Sequence, residues 1–404
     1  MPRLDVRTQF PLLAQPTPQG TELAYLDNAS TTQKPQRVLD AMTRLYTSRY
    51  ANVGRGLYWP ATEANLAYSH ARETVAQFIG APKDSVVFTA GTTDSINRVA
   101  HGFLLPRLQP DQEVVITILE HHANFIPWQQ VCKRAGAKLR VVGLNAVGGI
   151  DMDELVAMLS ERTALLAFSA VSNVLGTITP VEQVVAMAKK YHIPVLVDAA
   201  QQVGHSQMDV SRWDADFVAF SAHKAYGPTG IGVLYGKPEH LQAMEPLHFG
   251  GGAIRSVSLT DTLLAEGPQR HEPGTPNLAG AVGMAEALDF LTEVGMNAVH
   301  DHVAEVTAYA HEELAKLEGL TIVGPPEPQG PVLSLKVGEV HPHDVASFLA
   351  SMSIGIRAGH HCAQPLMDHL QLPGTVRASF GIYTTHQEID RLVAGLKQVL
   401  EFFE

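Results

Sequence analysis

The stretch Phe217-Val218-Ala219-Phe220-Ser221-Ala222-His223-Lys224 joins an apolar, strand-like run to a polar cluster that ends in a lysine. Short apolar runs of this kind alternate along the chain with segments whose apolar residues recur every three or four positions. This alternation is typical of βαβ units. It predicts an α/β fold with a mostly parallel, doubly wound sheet.

The same pattern predicts the other elements of this sheet layer. The strands are Val114 to Leu119, Leu139 to Leu144, Ala164 to Ala170, Ile193 to Val197, Phe217 to Phe220 and Ile231 to Tyr235. The helices between them are Thr93 to Phe103, Phe125 to Ala135, Met152 to Leu159 and Val181 to Tyr191.

The chain is 404 residues long, more than one hydrophobic core usually fills, so we expect two domains. Beyond about Gly283 the pattern changes to amphipathic helices, a Pro- and Gly-rich loop and two further strands. We predict an N-terminal arm at residues 1–20 that packs with the small domain. A large domain is predicted at 21–283 and a smaller α+β C-terminal domain at 284–404.

Charge and composition exclude several classes of protein. The formal net charge is −12 and the pI is near 5.9, whereas proteins that bind nucleic acids or anionic membranes need a positively charged surface. No apolar run approaches the roughly 18 residues of a membrane helix, and the first residues do not form a signal peptide. Cys132 and Cys362 are the only cysteines, which fits a reducing compartment. We therefore expect a cytoplasmic protein.

Polar residues follow four of the predicted strands, at the edge of the sheet where ligands bind in open parallel folds. These groups are Glu120-His121-His122, Ser172-Asn173, Asp198-Ala199-Ala200-Gln201 and Ser221-Ala222-His223-Lys224. A solvated sheet rim would also be polar, but it would seldom offer this selection of side chains. The sequence therefore predicts a ligand site at this edge.

A lysine among Ser, His and a preceding aspartate indicates a pyridoxal 5'-phosphate (PLP) site. Lys224 would form a Schiff base with the cofactor, and Asp198 would pair with its protonated pyridine nitrogen. Gln201 would donate to the phenolic oxygen, and His121 would stack on the ring and shuttle protons. The alternatives are an ordinary surface lysine, an aspartate that pairs with a local arginine or caps a helix, and a structural histidine.

Three further groups fit the same chemistry. Gly91-Thr92-Thr93-Asp94 opens a helix where a phosphate would bind, although such residues are also ordinary helix caps. Arg377 offers the planar fork that grips a carboxylate, and its alternative is a surface salt bridge. Cys362 lies on a polar loop with Arg357, which would favour a thiolate nucleophile over a buried inert thiol. Cys132, in a helical segment, is predicted to pack in the core.

Paired histidines at 121/122 and 360/361, with His341 and His343, do not lead us to predict a metal site. Neighbouring side chains on a strand face opposite ways, and neither cysteine has a second thiol at zinc-ligand spacing.

Taken together, these segments resemble the fold-type-I PLP enzymes of the class-V aminotransferase family, and in detail the group II, Suf-type cysteine desulfurases. The resemblance runs nearly from end to end. The matching segments are Tyr25-Leu26-Asp27-Asn28-Ala29-Ser30, Gly91-Thr92-Thr93, Glu120-His121-His122-Ala123-Asn124, Val197-Asp198-Ala199-Ala200-Gln201, Ser221 to Lys224, Gly227-Pro228-Thr229-Gly230, Gly250-Gly251-Gly252, Gly274-Thr275-Pro276-Asn277 and Arg357 to Cys362.

The resemblance implies that L-cysteine is converted to L-alanine, with the sulfur left as a persulfide on Cys362. It also implies a homodimer, and a SufE-like or SufU-like acceptor protein that serves iron–sulfur cluster or other thio-cofactor assembly. Lys224, Cys362 and His121 would be catalytic. The implied cofactor ligands are Thr92, Thr93, His121, Asn173, Asp198, Gln201, Ser221, His223, Lys224 and, from the partner subunit, Thr275. Asn173, Arg357 and Arg377 would bind the substrate.

One segment departs from the family pattern. Gly54 and Tyr58 stand where relatives generally carry histidines, although Arg55 is retained. This departure keeps open a selenocysteine lyase or cystine C–S lyase, for which Cys362 would be dispensable. A non-catalytic sulfur-relay scaffold that has kept the fold is the remaining alternative.

Overall fold

The computed structural model describes residue 4, residues 6–54 and residues 56–403. Arg55 and four of the first five residues lie outside the described part. The strands are β1 (Ala24–Tyr25), β2 (Val86–Thr89), β3 (Glu113–Thr117), β4 (Lys138–Val142), β5 (Thr163–Ser169), β6 (Val195–Asp198), β7 (Phe217–Ser221), β8 (Gly232–Gly236), β9 (Ile254–Val257), β10 (Thr262–Leu264), β11 (Leu320–Val323), β12 (Val332–Val337), β13 (Ile354–Gly355), β14 (Arg357–Gly359) and β15 (Thr375–Ser379). The helices are α1 (Gln36–Ser48), α2 (Trp59–Ile79), α3 (Thr92–Arg98), α4 (Ile126–Ala135), α5 (Met152–Met158), α6 (Val181–Lys189), α7 (Val210–Trp213), α8 (Pro238–Ala243), α9 (Leu278–Val294), α10 (Met296–Ala315), α11 (Pro342–Ser351), α12 (Gln364–His369) and α13 (His386–Phe403).

The central sheet has seven strands in the order β2-β8-β7-β6-β5-β3-β4, and its neighbours are parallel except where β8 is involved. Side chains alternate between two apolar layers: Val114 and Ile116 pack in one, whereas Val115 packs in the other. Both layers are buried, as a mostly parallel sheet requires. The doubly wound sheet is confirmed, and the six predicted strands are present within two residues at each end.

The predicted helices are present, with one difference. The segment Thr93 to Phe103 is not a single α-helix, because α3 continues as a π-helical turn over Val99–Leu104. Over so few residues, apolar spacing alone does not separate a π-helix from an α-helix. Elsewhere the boundaries follow local chemistry: Gly136, at φ 71°, ends α4 in the left-handed conformation that glycine adopts readily.

A second, antiparallel sheet has the order β11-β12-β15-β14 and packs with α10, α11 and α13 around its own core. That core includes Val306, Leu335 and Leu396. The N-terminal strand β1 runs parallel to β13, so Ala24 and Leu26 also pack there. These two residues stand in the predicted large domain but contribute to the core of the smaller part.

The predicted boundary at residue 283 falls inside a continuous helix, α9. Two glycines near its start, Gly280 and Gly283, weaken the helical pattern without breaking the helix. The apolar face of α9 packs in the core of the larger part, and the second core takes over at Val306 in α10.

The described part of the N-terminal arm packs in the larger core and forms an ion pair with α13. Phe10 packs edge-on against Tyr226, Phe290 and Tyr383, and Arg7 forms an ion pair with Glu388 at 3.0 Å. Among the described residues, no helix combines the length and apolar character needed to cross a membrane.

Candidate active site

A cavity of ≈ 200 Å³ lies beyond the carboxyl ends of β5, β6 and β7, between the two sheets. It is lined by all but two of the predicted site residues. Those that line it are Thr92, Thr93, His121, Asn173, Asp198, Gln201, Ser221, His223, Lys224, Arg357 and Arg377. The two that do not are Cys362 and Thr275, which lie in other cavities. The carboxyl edge of the sheet therefore gathers the side chains that the strand pattern indicated.

Lys224 ends a 3₁₀ turn, Ala222–Lys224, that follows β7 directly. Burial lowers the pKa of its amine to about 8, and the charge of Asp198 works in the opposite direction. More of the amine is therefore unprotonated near neutral pH than in an ordinary lysine. The turn packs tightly, because a Cβ at Gly204 would lie 2.3 Å from the Lys224 carbonyl oxygen.

Asp198 ends β6 and is buried, with one carboxylate oxygen accepting from the Ala200 N–H at 2.9 Å. Burial raises its pKa, whereas the Ala200 N–H and the charge of Lys224 lower it. Among the described residues, no cationic side chain forms an ion pair with it. The contact with the Ala200 N–H resembles the helix-capping role that was one alternative for Asp198. The carboxylate also lines the cavity, however, and has no cationic partner among the described residues.

His121 is held as a neutral ring with a defined tautomer. Its Nδ1 accepts from the Ala123 N–H at 3.0 Å, so the ring proton resides on Nε2. Burial lowers the pKa of His121 to about 3, and the nearby charge of Lys224 contributes. The ring therefore offers an Nε2–H donor to the cavity over the whole neutral range.

One end of the cavity is lined by hydroxyl groups. The Ser221 hydroxyl oxygen accepts from the Thr92 N–H at 2.8 Å and lies 2.8 Å from the Thr92 hydroxyl. Gly91 permits this approach: its φ is 152°, and a Cβ there would lie 3.2 Å from the Ser221 oxygen. His223, whose Nδ1 lies 3.2 Å from the Thr31 hydroxyl, also lines the cavity.

Arg377 lies at the other end and is 1% exposed, so it is not a surface arginine. Its Nη2 donates to Asp27 at 3.2 Å and to Ser30 at 2.9 Å, and its Nη1 donates to the Asn173 carbonyl at 2.9 Å. Its Nε is buried without a hydrogen-bond partner among the described residues. The side-chain amide of Asn173 donates to the His361 carbonyl at 2.7 Å, which ties this end to the cysteine loop.

Cys362 lies in a neighbouring cavity of ≈ 450 Å³, lined also by His122, His341, His343 and His360. Arg357 lines both cavities: its Nη1 donates to Ser30 at 2.9 Å, and its Nη2 lies 3.6 Å from the sulfur. The thiol is partly exposed and Cys132 is buried, where burial raises the pKa of Cys132 to about 11. Only Cys362 is therefore placed to react.

Thr275 lines a third cavity, of ≈ 820 Å³, together with Asn52, Val53 and Gly54. Gly54, one of the two positions of a family histidine, therefore lines the same cavity as Thr275, which the resemblance assigns to the partner's cofactor. Gly54 has φ 137°, and its backbone N–H and carbonyl both bond to the Asn65 side chain. Tyr58 is 61% exposed.

Several supporting residues were not predicted from the sequence. Glu120 is buried and accepts from Thr117, Asn124 and Ser169, and burial raises its pKa to about 7. Lys34 donates to the Thr31 hydroxyl at 3.3 Å, and burial lowers its pKa to about 8. Glu120 belongs to the polar group that follows β3, so its position in the sequence could have indicated a role in the site. No sequence pattern indicates such a role for Lys34.

These features fit PLP by their chemistry. The cavity presents a buried amine for the aldehyde, a carboxylate without a cationic partner for the pyridine nitrogen, and hydroxyl groups for the phosphate. No group of three or more His, Cys, Asp or Glu side chains suited to a metal ion occurs within the described residues.

Comparison with known proteins gives a consistent result. The family model "Aminotransferase class-V" matches residues 24–392. A cysteine desulfurase of Pectobacterium carotovorum is 45% identical over 396 residues, which cover 98% of this chain and 97% of that protein. A probable cysteine desulfurase of Halalkalibacterium halodurans is 44% identical, with coverage of 99% and 98%.

Solved structures agree with these sequence matches. The cysteine desulfurase CsdA of Escherichia coli superimposes with a TM-score of 0.91 and 38% identity, and 98% of each chain is covered. The apo cysteine desulfurase of Thermococcus onnurineus gives a TM-score of 0.94 and 37% identity at the same coverage. A cystine C–S lyase, C-DES, shares the fold at 22% identity and a TM-score of 0.84.

Proposed function

The chain belongs to the class-V aminotransferase family, and from this premise we propose that it is a PLP-dependent cysteine desulfurase. The reaction would take L-cysteine to L-alanine and leave the sulfur on Cys362 as a persulfide. One observation carries the proposal: Arg357 borders both the cavity of Lys224 and the cavity of Cys362, and its Nη2 lies 3.6 Å from the sulfur. Full-length relatives named cysteine desulfurases support it.

PLP, when bound, supplies an electron sink that makes the bonds around the α-carbon of an amino acid labile. Lys224 would hold its aldehyde, and Asp198 would keep a proton on its pyridine nitrogen. Thr92, Thr93, Ser221 and His223 would hold its phosphate, with Gln201 at its phenolic oxygen. The amide nitrogen of Gln201 donates to the Ala29 carbonyl at 2.9 Å, so its side chain is held in one orientation.

The substrate carboxylate would bind at Arg377 and Asn173. Arg377 is buried, and among the described residues its one ion pair is with the carboxylate of Asp27. A second anion at this guanidinium would bind in a site of low solvent exposure, where ion pairing is strong. The unpartnered Nε of Arg377 is a further donor for that anion.

In the proposed transfer step, the sulfur atom of the substrate moves from its Cβ to the sulfur of Cys362. The thiolate of Cys362 attacks the substrate sulfur, an S–S bond forms and the Cβ–S bond breaks. The electron pair of the broken bond stays with the substrate, whose Cβ takes up a proton and becomes the methyl group of alanine. Arg357 stabilises the negative charge on the sulfur before the transfer and on the persulfide after it.

A homodimer and a SufE-like or SufU-like acceptor are the finer parts of the proposal. Gly54 and Thr275 line one cavity, and two large apolar side chains that follow Gly54 in the chain, Leu57 and Trp59, are 96% and 66% exposed. A second subunit would cover them and bring Thr275 to the partner's phosphate. A cytoplasmic location is proposed because both cysteines are free.

The test is to identify the products formed from L-cysteine, L-selenocysteine and L-cystine. L-Cysteine should give equal amounts of alanine and reducible sulfur, and Cys362→Ser should stop sulfur delivery to an acceptor thiol. Lys224→Ala should stop both products. A Cys362→Ser protein that still delivers persulfide would refute the proposal, and full activity on cystine in that variant would favour the cystine C–S lyase alternative.

A further inference from the structure

The loop that carries Cys362 has an unusual backbone. His361 and Cys362 have φ values of 53° and 57°, so two consecutive residues with side chains adopt the left-handed conformation. That conformation is uncommon outside glycine, because the Cβ atom crowds the neighbouring carbonyl oxygen. It persists only where surrounding contacts hold it, and such strain is concentrated at functional sites.

His122 holds this loop at two points. Its backbone N–H donates to the Cys362 carbonyl at 2.6 Å, and its Nε2 accepts from the Gln364 N–H at 3.1 Å. The first contact fixes the cysteine itself, and the second fixes the start of α12 just after it. His122 thus binds the chain on both sides of Ala363, close to the reactive sulfur.

Other contacts hold the preceding residue. The Asn173 amide donates to the His361 carbonyl at 2.7 Å, and the His361 ring lies 2.9 Å from the Thr375 hydroxyl. These residues belong to the larger sheet layer and to β15. The loop is therefore held at His361 by these contacts and at Cys362 and Gln364 by His122.

We propose that His122 is a positioning residue for sulfur transfer, whose ring nitrogen Nε2 holds the Cys362 loop in its left-handed conformation. The inference rests on the proposed function and assigns a role to a residue outside the cofactor cavity. His122 and His121 are adjacent but distinct: His121 lines the cavity of Lys224, whereas His122 lines that of Cys362.

The state of the ring supports this role. Nε2 accepts a hydrogen bond only when it carries no proton, and burial, together with nearby His360, lowers the pKa of His122. The geometry also explains what the loop does for the sulfur. With the loop in place the sulfur lies 3.6 Å from the Arg357 guanidinium, and a released loop would carry it away from that charge.

Three variants of the cofactor-loaded full-length protein separate this role from a general effect on folding. His122→Ala removes the ring acceptor and keeps the backbone contact. His122→Gln keeps an acceptor oxygen at a similar reach. His343→Gln is the matched control, because it removes an exposed imidazole from the wall of the same cavity and is outside the proposed machinery.

Two measurements are made on each variant. Hydrogen–deuterium exchange of the segment 359–366 reports whether the loop is held. The alanine formed in the first turnover, with the KM for L-cysteine, reports the transfer step. Loss of one hydrogen bond corresponds to roughly a fivefold to tenfold change in such an opening equilibrium.

We expect His122→Ala to exchange this segment about tenfold faster and to lower the first-turnover rate by a similar factor, with an unchanged KM. His122→Gln should restore both within about threefold, and His343→Gln should resemble the unaltered protein. The inference is overturned if His122→Ala exchanges the segment at the normal rate, or if Gln is as impaired as Ala. If the unaltered protein makes no alanine, the proposed function fails while the exchange measurement still decides the role of His122.

Discussion

The guanidinium of Arg357 lies 3.6 Å from the sulfur of Cys362 through one nitrogen and donates to Ser30, at the edge of the Lys224 cavity, through the other. A single planar side chain therefore borders the place where the amino acid would be held and the place where its sulfur would go. A lysine could not make both contacts, because its single ammonium group lacks the fork geometry.

Arg357→Gln should slow the formation of persulfide on Cys362 by about tenfold or more, because the thiolate loses its charged partner. Bound PLP should be retained, since Arg357 is not among its predicted ligands. Single-turnover alanine formation and the absorbance of the cofactor measure the two effects. Arg255→Gln, at an exposed ion pair with Glu266, is the control and should change neither.

Recombination of cofactor-free protein with PLP should become faster as the pH rises through about 8, because the pKa of Lys224 is lowered to that value and its neutral amine is the nucleophile. The rate should level off above that pH. Asp198→Asn should move the midpoint lower, since the charge of Asp198 raises the pKa of Lys224. Stopped-flow absorbance measures the rate. A rate that keeps climbing towards the ordinary lysine pKa of about 10.4 would contradict this assignment.

Gly54→Ala should destabilise the protein by about 1 kcal/mol or more. Gly54 has φ 137° and nothing within 4 Å of a Cβ placed there, so the cost is conformational rather than steric. Gly251→Ala is the matched control, because Gly251 also has nothing within 4 Å of such a Cβ and lacks a positive φ. Urea unfolding of the two variants should show the difference, and equal midpoints would show that Gly54 is not strained.

Gly204→Ala should weaken the retention of PLP and destabilise the protein by at least about 1 kcal/mol. The added Cβ would lie 2.3 Å from the Lys224 carbonyl oxygen, so the turn that presents the amine must shift. Cofactor absorbance after dialysis, compared with that of the unaltered protein, measures the effect. Normal retention in Gly204→Ala would mean that this turn adapts without moving the amine.

The ends of the strands could be predicted from the sequence, because the spacing of apolar residues and the residue type at each position are local properties. Asp198 and Lys224 end apolar runs, and parallel strands bring such ends to one edge without any knowledge of distant contacts. The predicted boundary at residue 283 rests on a change of pattern along the chain, and in the structure this position lies inside α9. Whether a helix continues through such a change depends on packing, which the local pattern does not contain.

Partners that are distant in the sequence could not be predicted. Arg377 pairs with Asp27 across 350 positions, so neither residue signals the other in a single sequence. The same holds for Cys362, whose carbonyl accepts from the His122 N–H across 240 positions. The sequence pattern indicated which side chains are reactive. Contacts between distant parts of the chain determine which cavity each of them lines.

The pairing of β1 with β13 bears on how the protein is made. Ala24 and Tyr25 leave the ribosome early, yet their partners Ile354 and Gly355 are translated near the end of the chain. Until then Leu26, which becomes completely buried, has no core to enter. Contacts of such long range also slow folding, so this part of the smaller core can form only when the chain is nearly complete.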